Sequence, residues 1–113
     1  MRKAASCSME NLLNRLSGTW TTYILWFLHR DGALRFGELR RKIGDISTKV
    51  LTERLRMLEL MEIIDRHYVP TIPPQVTYSL TDRGQELTKA LTPLYKLAHR
   101  WQESVLLSKE LEG

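Results

Sequence analysis

The stretch that decides the fold runs from Leu34 to Leu80 and reads LRFGELRRKIGDISTKVLTERLRMLELMEIIDRHYVPTIPPQVTYSL. Its first part opens on a short extended piece at 34–36 and then has the apolar spacing of two short helices separated by the turn residues Gly44-Asp45. Its second part holds two strand-like segments, about 63–69 and 75–80, with three prolines between them, where missing amide donors do no harm. Helix, turn, helix and two-stranded hairpin, in this order, predict a winged helix-turn-helix.

Helices are also predicted on both sides of this stretch. Ser8 is placed to cap the first helix and Thr81 the last, because a hydroxyl can accept from the early amide donors. The second helix is apolar nearly all round and is expected to be central and buried. Pro93 lies inside the last helix and should kink it. The predicted helices span about 9–16, 21–29, 37–43, 47–60 and 82–106, so the fold class is mainly α with a small β-hairpin wing (α+β).

Composition narrows the class of protein. The 113 residues, 42% apolar and 27% charged, suit one domain over 1–113 with a core of about 7–101. A charge of +4 and a pI near 9.5 favour a polyanionic partner, although ribosomal and membrane-surface proteins share this balance. No apolar run approaches the roughly 20 residues of a membrane span, and the start is too short for a secretory signal, so a soluble cytoplasmic protein is expected.

Catalytic and metal-binding signals are absent from the sequence. One cysteine excludes an intramolecular disulfide, and no Cys/His cluster has zinc spacing. No nucleophile, base and orienting group form a set, and no glycine-rich phosphate loop is present. The sequence therefore predicts neither an enzyme nor a cofactor or metal site.

The fourth predicted helix has the pattern of a DNA-reading helix. Leu51, Leu55 and Leu58 fall on one face, which should pack on the core. Lysine, threonine, glutamate and arginine on the other face can all contact base edges in the major groove. The alternative is a solvated polar face without function. The predicted base-reading residues are Lys49, Thr52, Glu53 and Arg56, and the predicted phosphate-holding residues are Ser47, Thr48, Arg40 and Arg66.

The predicted wing is a weaker candidate for DNA contact. Arg66 could reach a backbone phosphate or the minor groove beside the reading helix. Tyr68 and Tyr78 are expected simply to pack across the strands. The loop tip, 71–75, has no cation, so it should be a poor phosphate clamp but a stiff shape.

Four blocks carry a resemblance to a known family: CSMENLLNRLSGTW (7–20), ILWFLHRDGALRFGELRRKIGDIS (24–47), LTERLRMLE (51–59) and PPQVTYSLTDRG (73–84). The chain resembles the HxlR-type winged-helix transcriptional regulators of bacteria. The resemblance implies a homodimeric, double-stranded DNA-binding regulator, often a repressor, that dimerises through its first and last helices. It places Ser47, Thr48, Lys49 and Thr52 on the reading helix, and Arg35 and Arg40 on the segment before it. Two departures are Thr19, where the family commonly has a basic residue, and Met61-Glu62, where it tends to have glycine.

Cys7 matches an N-terminal cysteine found in many relatives, some of which sense electrophiles or oxidants. A thiol near a helix N-terminus, with Arg2 and Lys3 close in sequence, can have a lowered pKa and react as thiolate. The alternative is a structural thiol that behaves as a small hydrophobe. The sequence leaves both open.

The last helix carries more apolar surface than a small monomer can cover, which favours a two-fold dimer. Aromatic residues at 20, 23, 26, 95 and 101 could instead line a pocket for a small-molecule effector, although such residues more often form plain core. A rival for the whole protein is a winged-helix protein-interaction module without DNA readout, which Glu53 on the reading face keeps open. The predicted interface residues are Leu12, Leu16, Leu91, Leu94, Tyr95, Ala98, Trp101 and Val105.

Overall fold

The computed structural model describes residues 8–112, apart from the side chains of Thr19 and of residues 104–112. The elements of this part of the chain follow the predicted order and confirm a winged helix-turn-helix. They are α1 (Ser8–Leu16), α2 (Thr19–Asp31), β1 (Leu34–Arg35), α3 (Phe36–Ile43), α4 (Thr48–Leu60), β2 (Ile64–Val69), β3 (Gln75–Leu80) and α5 (Asp82–Glu112). Cys7 lies outside the described residues.

The sheet corrects the predicted two-stranded hairpin. It has three antiparallel strands in the order β1-β3-β2, because Leu34 pairs with Tyr78 and Arg35 with Thr77. Tyr78 pairs with Arg66 and Tyr68 with Val76, so the two tyrosines lie diagonally on one face of the sheet. Tyr78 is buried in the core, whereas Tyr68 is 52% exposed, so packing is found for Tyr78 alone.

The second helix is longer and less uniformly buried than predicted. It begins at Thr19, directly after Gly18 at φ +109°, and it ends at Asp31, where the Gly32 amide donates to the Leu28 carbonyl. Ile24 and Leu25 are fully buried at the centre of the core. Trp26, on the side of α2 that meets α5, is only half-buried.

The core collects one apolar face from each surrounding element. Leucines of α4 meet Ile24 and Leu25 of α2, Leu39 of α3 and Ile64 of β2. Burial of this kind stabilises by roughly 25 cal/mol per Å² of apolar surface removed from water. α4 is therefore held through its leucine face, and its opposite face is left to solvent.

The turn from α4 into the wing forms without the glycine that the family tends to have at Met61-Glu62. The Ile63 amide donates to the Leu58 carbonyl and the Glu62 amide to the Glu59 carbonyl, which is the Schellman arrangement of a helix end. Glycine normally occupies the position taken here by Glu62, because the backbone is left-handed there, at φ +60°. The turn has the ordinary geometry, formed by an unfavourable residue.

The last helix starts at a tight junction and runs further than predicted. The Thr81 hydroxyl accepts from the Gly84 amide (2.9 Å) and donates to the Glu62 carbonyl (2.7 Å), which confirms Thr81 as the cap and ties α5 to the wing. The helix continues through Pro93 to Glu112, beyond the predicted end at Leu106. No helix in the described part of the chain is both long and apolar enough to cross a membrane.

Candidate nucleic-acid interface

The start of α4 is fixed by its own sequence. The Ser47 hydroxyl accepts from the Val50 amide at 3.1 Å, so Ser47 is the predicted cap. The helix then buries Leu51, Leu55 and Leu58, each at most 1% exposed. Because residues four and three apart share a face, the rotation of α4 about its axis is set by these leucines.

The opposite face carries the predicted reading residues. Lys49, Glu53 and Arg56 are exposed, and Thr52 is half-buried. The Thr52 hydroxyl donates to the Thr48 carbonyl at 2.8 Å, so it keeps an acceptor lone pair and a methyl group for a partner. The exposed amide end of α4, beside Ser47 and Thr48, adds a positive partial charge that favours a phosphate.

The cations before the turn divide into structural and available groups. Lys42 Nζ lies 3.2 Å from a carboxylate oxygen of Asp31, so Lys42 joins α3 to the end of α2. The hydrogen bond from Arg30, with a further one from Lys42, holds the pKa of Asp31 below its usual value. Arg40 Nε donates to the Ile46 carbonyl at 3.2 Å and braces the helix-turn-helix, while Arg41 is exposed.

Arg54 is a residue whose position the sequence did not predict. Arg54 is half-buried, and a Cβ built on Gly18 would lie 3.5 Å from a guanidinium nitrogen of Arg54. Arg54 therefore lies against the residue that precedes α2. A helical wheel assigns Arg54 to the flank of the polar face, but it gives no sign of which neighbouring element that flank meets.

The structure places Arg35 and Arg66 on different faces of the sheet. Arg35 pairs with Thr77 and Arg66 with Tyr78, and successive residues of a strand point to opposite faces. His67, which also pairs with Thr77, shares the face of Arg35. One flat surface cannot use both arginines, although a partner that surrounds the wing can.

The predicted dimer surface is only partly exposed. On α5, Leu94 is 57% and Trp101 64% exposed, and Ala98 between them is also exposed. Leu12, Leu91 and Tyr95 are half-buried, whereas Leu16 is 6% exposed and belongs to the core of its own chain. The side chain of Val105 lies outside the described residues. Sequence reasoning missed the exposed Met9 and Leu13, four residues apart on α1.

An aromatic cleft lies between α2 and α5. Trp26 and Tyr95 meet edge to face with ring centroids 5.4 Å apart. Beside them is an open cavity of about 570 Å³, which Tyr23 also lines. Burial raises the pKa of the Tyr95 phenol, and its buried hydroxyl has no hydrogen-bond partner. Trp20 and Trp101, expected in the same pocket, do not line this cavity.

These features define a winged helix-turn-helix protein of the transcription-regulator class, and comparison with known proteins agrees. The chain belongs to the HxlR-like helix-turn-helix family, whose sequence model matches residues 15–105. The resemblance seen in the sequence is thereby confirmed. Membership implies DNA binding, and the family and its structural neighbours are transcriptional regulators rather than enzymes.

Three similar proteins illustrate the match. The HTH-type transcriptional regulator sll1512 of Synechocystis is 40% identical over 97 residues, covering 86% of this chain and 71% of that protein. The diamide-treated YodB structure from Bacillus subtilis is 36% identical, with a TM-score of 0.72 over 83% of this chain and 93% of YodB. The redox regulator HypR in its oxidised form is 37% identical, with a TM-score of 0.68 over 87% of this chain and 96% of HypR.

Proposed function

We propose that this regulator is a homodimeric repressor that binds an inverted-repeat operator in double-stranded DNA. The observation that carries the proposal is the two-sided nature of α4. Three leucines lock one face into the core, and the other face presents Lys49, Glu53 and Arg56 to solvent. A capped helix held in this way, after a short helix and a tight turn, has the form that enters the major groove.

Each exposed group on α4 has a partner in the groove that suits its chemistry. Arg56 can fork onto guanine, Glu53 can accept from cytosine, and Thr52 can place its methyl against thymine. Lys49 can reach either guanine or a phosphate. Phosphates are held by the rest of the predicted set, which is Arg35, Arg40, Ser47, Thr48 and Arg66.

Dimerisation follows from the exposed apolar stripe of α5. Leu94, Ala98 and Trp101 are spaced by four and three residues, so they lie on one side of the helix. A second copy of the chain covers this stripe by two-fold symmetry, with Met9 and Leu13 of α1 at its side. Such a dimer sets its two reading helices about one duplex turn apart, roughly 34 Å, or a multiple of it.

Oxidants are proposed to control this binding through Cys7. The support is the thiol chemistry expected before a helix N-terminus, together with two relatives whose structures are of diamide-treated and oxidised forms. Cys7→Ser should leave operator binding intact and remove its response to diamide. A Cys7→Ser protein that still loses its operator in diamide would refute the sensor role.

The rival role, a winged helix that binds only proteins, is not favoured. Its support was the acidic Glu53 on the reading face, which costs phosphate affinity. Family membership weighs more, because the whole winged-helix stretch from Leu34 to Leu80 lies within the matched residues 15–105.

The test is recovery of DNA fragments from the source genome on the purified protein at about 150 mM salt, followed by sequencing. The proposal predicts a few enriched sites that share an inverted repeat. A reporter placed behind such a site should be less active when the protein is present, as repression requires. Uniform recovery of all fragments would overturn specific readout and would favour the rival protein-interaction role.

A further inference from the structure

The outer part of the wing, between Tyr68 and Thr81, carries no charged residue. Between Tyr68 and Thr81 the sequence has no Asp, Glu, Lys, Arg or His, although charged residues make up 27% of the chain. At the tip, Ile72 is 100% exposed, and Tyr68 on the strand below it is 52% exposed. An apolar side chain held fully in water gives no stability to its own fold, and at the tip of the hairpin it is available for contact with a partner.

The tip is held in one shape by local hydrogen bonds. The Thr71 amide donates to the Val69 carbonyl, and the Thr71 hydroxyl donates to the Pro73 carbonyl, both at 2.8 Å. Pro70, Pro73 and Pro74 also fix their own φ angles. Ile72 is therefore presented at a defined position, and little conformational entropy is lost when it meets a partner.

Two arginines lie at the base of the wing, one on each face. Arg35 shares its face with His67, across Thr77, and Arg66 occupies the other face. Charge at the base and apolar groups at the tip match the minor groove of DNA. Its two rims are phosphates, and its floor, about 6 Å wide, presents base edges that a cation-free tip can approach.

We propose that Ile72, backed by Pro73, is an uncharged wedge that enters the minor groove beside the segment read by α4. This inference rests on the proposed DNA binding. Isoleucine and proline are among the side chains that insert at base steps, unstack them and bend the duplex. An apolar wedge displaces no counterions, so its contribution to affinity does not change with salt. It favours pyrimidine–purine steps such as TA and CA, which unstack most easily.

The test compares wild type with three substitutions at one position: Ile72→Leu, Ile72→Ser and Ile72→Lys. Each is titrated against an enriched duplex and a scrambled duplex over about 50–300 mM salt. Copies of the enriched duplex carry 2-aminopurine at successive steps flanking the inverted repeat, because its fluorescence rises when a base unstacks.

The wedge predicts that Ile72→Ser binds the enriched duplex about tenfold more weakly with an unchanged salt slope, and loses the fluorescence rise. Ile72→Leu should behave like wild type. Ile72→Lys should tighten the scrambled duplex and steepen the salt slope by about one unit, as one added phosphate contact requires. Wild-type affinity and fluorescence in Ile72→Ser would overturn the wedge, whereas failure of wild type to prefer the enriched duplex would overturn the proposed function itself.

Discussion

Backbone strain in this fold can be assigned to a single residue, Glu62. It occupies the left-handed position that closes α4, and its ion pair with Arg83, at 3.6 Å between two exposed side chains, contributes little. A side chain at positive φ costs the folded state roughly 1–2 kcal/mol, and glycine removes that cost. Glycine also makes the unfolded chain more flexible, which offsets part of the gain in stability. Glu62→Gly should therefore raise the free energy of unfolding by about 0.5–1 kcal/mol in urea titrations.

The control is Glu62→Ala, which removes the same ion pair but keeps the left-handed side chain. It should bring no gain. If both variants were equally stable, the backbone strain assigned to Glu62 would be wrong.

Gly84 has the opposite character, since its lack of a side chain is required. A Cβ there would overlap the carbonyl oxygen of Ile63, the same carbonyl that accepts from the Thr81 amide. Gly84→Ala should lower the free energy of unfolding by at least about 2 kcal/mol, since the junction of α5 and the wing must move apart. Gly37→Ala is the matched control, because nothing lies within 4 Å of a Cβ built on Gly37 in α3. Equal stability of the two variants, measured by circular dichroism during thermal unfolding, would contradict the close packing.

At the scale of elements, the sequence predicted those whose signals are local. The cap at Ser47 and the leucine face of α4 lie within a few residues of each other, and both are found in the structure. The extended piece at 34–36 was predicted, but not its place in the sheet, because Leu34 and Arg35 form a strand only through pairing with Tyr78 and Thr77, more than forty positions later. The ion pair of Lys42 was missed for the same reason, since its partner Asp31 is at the end of α2.

The cap of α4 allows stability and DNA binding to be separated. Ser47→Ala loses the bond to the Val50 amide and should cost about 1 kcal/mol of stability. Ser47→Asp keeps a capping oxygen and suits the helix dipole, so it should fold as well as wild type, but its charge repels a phosphate at this end. We expect Ser47→Asp to bind the enriched duplex at least about tenfold more weakly, as measured by fluorescence anisotropy. If Ser47→Asp bound as tightly as wild type, the proposed phosphate contact at this end of α4 would be wrong.

At the scale of the whole molecule, burial decides which predicted interface residues remain available. The sequence identified the apolar side of α5, but it could not separate Leu16, which fills the core of its own chain, from Leu94, which is exposed. That distinction depends on how the helices pack on one another. The exposed stripe of α5 is the apolar surface of this helix that no other element of the described chain covers.

The stripe predicts the oligomeric state. Light scattering at micromolar concentration should give wild type twice the 13.2 kDa mass of one chain. Leu94→Glu places a charge in the proposed interface and should give the monomer mass, since burying an unpaired charge is costly. Ile72→Glu is the control, because it makes the same kind of change at a more exposed apolar residue that lies on the wing. It should leave the dimer mass unchanged. A Leu94→Glu protein that remained dimeric would move the interface elsewhere.

The most direct test of specific reading by α4 is an anisotropy titration of enriched and scrambled duplexes at about 150 mM salt. It compares wild type with Lys49→Ala and with Lys89→Ala, which removes an equal charge from an exposed position on α5. Wild type should prefer the enriched duplex by at least about a thousandfold. Lys49→Ala should lose about tenfold or more, on the enriched duplex alone if Lys49 contacts a base and on both if it contacts a phosphate, while Lys89→Ala behaves like wild type. Equal wild-type affinity for the two duplexes, or the same binding by both lysine variants, would contradict reading by α4.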